Sequence, residues 1–236
     1  NDRSAIDALL PLYETQAEWE KLIDVLKRKL DLSEGREERG VLLRRIGDIY
    51  HQHLALSKEA FNTYTDALRT NPQDSELIQK LESLARQIGN WKEMIELYRN
   101  TLEQSEDSAD QSVLLTRIGD IYEREIGDLD SARTAFEEAI EYHPHPDAFD
   151  ALQKIYRQGE EWVELAELLQ EKAKLEILEV NDKIAVLGDL AWVRERQIDD
   201  IDGAAEAYEQ ILVLDPSHTS SLESLERLYK QSENWD

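Results

Sequence analysis

An all-α solenoid of helical hairpins is the fold this sequence predicts, about six hairpins plus one terminal helix across residues 1–236. Three observations predict it. The hexapeptide Arg45-Ile46-Gly47-Asp48-Ile49-Tyr50 returns as Arg117-Ile118-Gly119-Asp120-Ile121-Tyr122, 72 residues later. Pro72, Pro144 and Pro216 keep that interval, as do Ala60, Ala132 and Ala204, and Tyr64, Phe136 and Tyr208. Trp19, Trp91, Trp162 and Trp235 follow at 72, 71 and 73. A fixed period of this length marks an architecture that grows by stacking repeats instead of closing around one core.

Each period holds two kinds of hairpin. In the first kind, Leu43, Ile46, Gly47, Tyr50 and Leu54 fall at helical spacing and form one apolar stripe. A second helix carries Ala60, Tyr64, Ala67 and Leu68, and Asn71-Pro72 stops it, because proline restricts the residue before it and cannot continue the hydrogen-bond ladder. The next copies read Leu115, Ile118, Gly119 and Tyr122 before Ala132, Phe136 and Ala139, then Leu187, Leu190, Ala191 and Arg194 before Ala204, Tyr208 and Ile211. A glycine inside a helix costs about 1 kcal/mol relative to alanine. Gly47 and Gly119 are therefore expected where two helix axes approach closely, with Tyr64 and Phe136 as the large neighbours. The second kind centres on tryptophan: Ile78, Leu81, Leu84 and Ala85, a Gly89-Asn90 turn, then Trp91, Met94, Tyr98 and Leu102. Its counterparts precede Trp19, Trp162 and Trp235, and a Trp at each turn is expected to anchor one hairpin on the next.

The spans expected are 3–16, 18–32, 36–54, 57–70, 74–88, 90–104, 108–126, 128–142, 146–158, 160–178, 181–198, 200–214 and 217–232. They make one array over 1–236, with hairpins at 3–32, 36–70, 74–104, 108–142, 146–178 and 181–214. Pro11 is expected to kink the first helix or delay its start. Gln104 to Asp110 reads as an acidic loop, and His143-Pro144-His145-Pro146 as a stiff connector. The ending Gln231 to Asp236 copies the start of a hairpin, so the sequence reads as a piece of a longer array. Leu222, Leu225 and Leu228 are expected to be partly uncovered there, giving weak end-to-end self-association.

Composition narrows the function. With 52 acidic against 27 basic residues the formal charge is −25, which repels nucleic acid and anionic lipid. No apolar run reaches the roughly 18 residues of a membrane span. Without cysteine there is no disulfide and no thiolate chemistry, which leaves the compartment open, a cytoplasmic one being favoured. His51 and His53 are two apart on a helix and face different ways, and a zinc pair wants three or four. Asp199-Asp200-Ile201-Asp202-Gly203 has calcium-loop letters without the later Glu. No phosphate-cradling glycine loop or nucleophile–histidine spacing is present. The expectation is a non-enzymatic chain with no cofactor and no metal.

The alternating hairpins resemble the tetratricopeptide repeat (TPR). Leu43, Ile46, Gly47, Tyr50, Ala60, Tyr64, Ala67 and Pro72 carry the likeness, and Leu115, Ile118, Gly119, Tyr122, Ala132, Phe136, Ala139 and Pro144 repeat it, with one extra residue between the helices. The tryptophan hairpins look like divergent units without the closing proline, and the pairing into about 72 residues resembles bacterial TPR scaffolds. The resemblance implies a right-handed α-α superhelix whose first helices line a concave groove that binds a protein or peptide. The rival pentatricopeptide family, which reads RNA, needs a basic groove.

The groove row is expected at Arg44, Asp48 and His51; at Gln79, Ser83 and Arg86; at Thr116, Asp120 and Glu123; at Asp150, Lys154 and Arg157; and at Gly188, Trp192 and Glu195. The Lys-Asn-Arg pattern of chaperone-tail binders is not on this row. Trp192 replaces Asp48 and Asp120 and reads in two ways. It is an anchor for a partner, flanked by a basic patch of Lys154 and Arg157, or it turns inward to fill space left by Arg194, which stands where Tyr50 and Tyr122 stand. An anchor beside positive groups suits an apolar residue with carboxylates. The acidic whole suits a basic or mixed-charge partner surface. The alternative function is a structural or self-associating segment of a longer repeat protein.

Overall fold

The computed structural model describes residues 2–72 and 74–232. The described residues form thirteen helices and no strand: α1 (Asp2–Thr15), α2 (Trp19–Asp31), α3 (Arg36–Gln52), α4 (Ser57–Leu68), α5 (Ser75–Ile88), α6 (Trp91–Gln104), α7 (Ser108–Ile121), α8 (Leu129–Tyr142), α9 (Pro146–Gly159), α10 (Trp162–Ala173), α11 (Val180–Arg196), α12 (Ile201–Leu214) and α13 (Thr219–Ser232). A π-helical turn, Tyr122–Ile126, extends α7. The helices group into two compact units, Asn1–Gln104 and Ser105–Asp236. Trp235 and the hairpin start around it lie outside the described residues.

Within each unit, consecutive helices pack as hairpins, α3–α4, α7–α8 and α11–α12 most closely. Their interiors are the predicted stripes. Ile46, Ala60, Tyr64, Ile118, Ala132 and Phe136 are all buried, each large apolar side chain contributing about 1.5–3 kcal/mol. The glycine slots are present. A Cβ on Gly47 would sit 2.5 Å from Tyr64 Cδ1, and one on Gly119 2.5 Å from Phe136 Cε1. In the third copy Ala191 fills the slot, and Tyr208 is less buried than its two counterparts.

The turns obey the repeat more strictly than their letters do. Six described residues have left-handed backbone: Ala17, Gly89 and Glu160, then Ala55, Gly127 and Asp199. The first three each stand two residues before a turn tryptophan, and the last three are 72 apart. Only Gly89 and Gly127 meet this geometry without the side-chain strain that L-residues carry there. Leu56, Asp128 and Asp200 donate their N–H groups to the carbonyls of Tyr50, Tyr122 and Arg194, six residues back. This wide closure at equivalent places absorbs the extra residue between the helices.

Three expectations change. Helix α1 begins at Asp2 and runs through Pro11 without starting late; Pro11 is exposed, so its ring stands in solvent. Helix α10 ends at Ala173 instead of 178, where Lys174 and Leu175 tighten the chain by donating to carbonyls three residues back. Of the stripe expected to be partly uncovered, Leu222 is the exposed part, while Leu225 and Leu228 are buried against α12 beside Ala204 and Ala205. Making Leu225 and Leu228 polar would therefore unpack α13, so it cannot test association.

Candidate functional site

The predicted groove row lies on the first helix of each hairpin, and most of its charges already have partners on the next first helix. In the first unit Arg44 of α3 pairs with Asp74 and Glu76, and Lys80 of α5 donates to Asp48 at 3.0 Å. In the second unit Lys154 of α9 pairs with Glu123, and Arg157 donates to Asp189 of α11 at 2.6 Å. Arg227 of α13 holds Glu195 with two hydrogen bonds of 2.8 Å. These partners lie about 30 residues along the chain, so the row is a ladder joining neighbouring hairpins. The basic patch expected at Lys154 and Arg157 is corrected accordingly: each cation is neutralised by a carboxylate of an adjacent helix. Charge reversal there would set Glu against Glu123 and Asp189, and would test the ladder instead of binding.

Asp48 has a second duty. The Tyr64 hydroxyl donates to it at 2.6 Å, and burial, reinforced by that bond, pushes the phenol above its ordinary range. In the next copy Phe136 replaces the tyrosine. Asp120 keeps an ion pair with Arg124 one turn on, but burial raises its carboxyl above the usual range. Phe136→Tyr is therefore expected to restore the missing bond and stabilise the second unit by about 1 kcal/mol. The gain should be present above the ordinary carboxylate range, where Asp120 is ionised, and fade in acid. Thermal melts at two pH values check it.

Of the remaining row residues, Thr116 is buried and donates to the Ser112 carbonyl, and Asp150 pairs with Lys172 of α10. His51, Gln79 and Ser83 lie toward solvent, and Arg86 lies over the Trp91 ring with its guanidinium carbon 5.8 Å from the centroid. Trp192 is 46% exposed. Its ring meets Trp162 edge to face, with centroids 6.1 Å apart, and a Cβ on Gly188, one turn before it, would touch nothing within 4 Å. The inward reading of Trp192 is not what the fold adopts. Arg194 fills its own space, donating to the Gly203 carbonyl at 3.0 Å and to Gln170. Two of the turn tryptophans bridge hairpins: Trp19 stacks on His53, at the end of α3, at 3.7 Å, and Trp162 meets Trp192 of α11, whereas the ring contact of Trp91 is with Arg86 of its own hairpin.

A cleft of about 470 Å³ opens beside α3, lined among others by Arg36, Val41, Arg44 and Leu77. Its arginines are engaged, Arg36 with the Arg69 carbonyl and Arg44 with Asp74. Among the described residues no cluster could hold a metal ion and no helix is long and apolar enough to cross a membrane. Asp200, of the calcium-like letters, caps α12 by accepting from the Gly203 N–H. The ladder partners Asp74, Glu76, Lys80, Asp189 and Arg227 escaped the sequence reading. Their signal was opposite charge at the constant offset between first helices.

Two family models, both described as tetratricopeptide repeat, match the chain, one over residues 114–146 and the other over 5–40 and 77–112. No curated protein matches it. Among solved structures it is similar to that of Naa15/Naa10 bound to HypK-THB, at 19% identity over 92% of this chain and 32% of that one, with a TM-score of 0.45. It is also similar to pilF of Pseudomonas aeruginosa, at 16% identity over 98% and 97% of the two chains, with a TM-score of 0.40. A thermophilic TPR protein of Thermus thermophilus follows at 18% identity, covering 80% of this chain and 98% of that one, with a TM-score of 0.32. The chain spans 32% of the first of these, and likeness at this level carries no argument about partners.

Proposed function

We propose, from the premise that the chain is a tetratricopeptide repeat protein, that it is a non-enzymatic scaffold that binds a protein or peptide along the first-helix row of its second unit. Trp192 carries this reading. It is a large aromatic left 46% exposed on a row whose charges are otherwise cancelled in pairs. Beside it Gly188 leaves room for a chain to approach the backbone of α11. Aromatic residues in such settings supply most of the energy of an interface. The partner segment places an apolar side chain on Trp192 and lies across the neutral ladder, which adds shape and register more than attraction.

The experiment is Trp192→Ala, assayed on a partner captured from the source cell and then purified. The expected result is a melt lowered by no more than the roughly 0.5–1.5 kcal/mol of the edge contact with Trp162 and affinity weakened by about 2 kcal/mol, roughly thirtyfold in Kd. Unchanged affinity rejects the anchor. A melt lowered by the roughly 3–5 kcal/mol typical of a buried aromatic rejects it too.

A further inference from the structure

We propose a second docking surface, away from the groove row, formed by Ile177, Val180, Val213 and Leu214 and suited to a basic amphipathic segment of another protein. The α10–α11 connector and the first turn of α11 supply two of these residues, and the last turn of α12 supplies the others. They are 72%, 51%, 82% and 37% exposed. Position by position, the 72-residue period gives an internal control. Where Val180 stands, the earlier copies have Arg36 and Ser108, both exposed; Ile177 lies in a connector that differs from its counterparts, the residue 144 positions earlier, Ser33, being buried. Where Val213 stands they have Arg69 and Glu141, and for Leu214 Thr70 and Tyr142. The hairpin thus forms with polar residues in place of Val180 and Val213, and packing does not require those aliphatic side chains in the third copy. Helices α11 and α12 pack as one hairpin, so the first turn of α11, with Val180, and the last turn of α12, with Val213 and Leu214, lie at the same end of it. Aliphatic side chains gathered on a surface mark an interaction site where a solvated one would be polar.

Charge identifies the partner. Glu176, Glu179 and Asp182 are exposed beside the apolar residues and, among the described residues, take part in no ion pair. Asp215 accepts from Ser217. On the groove row of the same unit, by contrast, Glu123, Asp189 and Glu195 each face a cation. An apolar centre with an uncompensated acidic rim attracts Lys and Arg flanking an apolar stripe. The same rim repels anionic lipid.

The test uses a fluorescein-labelled amphipathic helix of about 15 residues built from Leu, Ala and Lys, followed by anisotropy on the whole chain. Val180→Ser with Val213→Ser, which removes the aliphatic groups without changing the charge, should weaken binding about tenfold or more. Glu176→Gln, Glu179→Gln and Asp182→Asn together should do the same, and added salt should weaken the wild type. Trp192→Ala should leave this affinity unchanged, which separates the surface from the groove. If the valine double variant also lowers the melt, Ile177→Ser, in the connector outside the helices, is read in its place. Affinity indifferent to these aliphatic variants overturns the proposal. So does equal binding of a peptide with Gln for every Lys. Sedimentation showing a dimer that the valine variant dissociates, with peptide affinity unmoved, assigns the surface to a second copy and overturns it as well.

Discussion

Gly119→Leu should destabilise the second unit by about 3 kcal/mol or more, and Gly47→Leu the first by a similar amount, at the upper end of what overpacking a helix contact does. The first added carbon already decides the sign. A Cβ on Gly119 would lie 2.5, 2.7 and 2.7 Å from three atoms of the Phe136 ring. Phe136 is fully buried between Ala132, Ala135 and Ala139, which are fully buried too, so the ring has nowhere to retreat without opening the α7–α8 contact. The third copy shows what the slot does when it carries a methyl: Ala191 is buried there and Tyr208 stands further out. Gly119→Ala should therefore fall between wild type and leucine, and Phe136→Leu should recover part of its loss, since touching residues couple. Arg45→Ala is the control. Arg45 is half-exposed and pairs with Glu14 on the surface, so its removal should stay within about 0.5 kcal/mol of neutral. Denaturant melts that leave the glycine variants unchanged would falsify the slot.

Arg227→Ala should destabilise the docking of α13 by about 2–3 kcal/mol at neutral pH, while Glu195→Gln does much less. The asymmetry comes from burial. Glu195 has a side chain 5% exposed, whereas Arg227 is 38% exposed. Removing the cation strands a buried carboxylate, the change that makes breaking such pairs expensive. Removing the charge on Glu195 leaves a guanidinium that water can reach. Arg196, 2.9 Å from Glu195 through Nε, keeps the loss below the full value. The pH dependence has a sign. The Arg227 hydrogen bonds hold the Glu195 carboxyl below its usual range. The pair's contribution is therefore present above the ordinary Glu pKa and is lost as pH falls through the depressed one. In Arg227→Ala, burial would push the same carboxyl up, so that variant should gain relative stability on acidification. Parallel pH profiles for wild type and Arg227→Ala would exclude this account.

The sequence alone determined the repeat, the helix order and the buried stripes. Those follow from local rules: apolar spacing fixes a helix's inner face, proline ends it, and a 72-residue echo of Gly47 with Tyr64 in Gly119 with Phe136 marks one contact made twice. Tertiary structure alone decided the fate of the charges. Lys154 and Arg157 read as a basic patch because Glu123 and Asp189 come from other helices, 31 and 32 residues away, where no local rule pairs them, and Asp150, one turn before Lys154, is held by Lys172 instead. It also decided Trp192, whose place on the helix was legible but whose exposure depended on Arg194 filling the space beneath and on Trp162 meeting its edge. Left-handed backbone at Ala17, Ala55, Glu160 and Asp199 was illegible for a related reason. Those residues disfavour that conformation locally, and it is the packing of the two helices on either side that holds them in it.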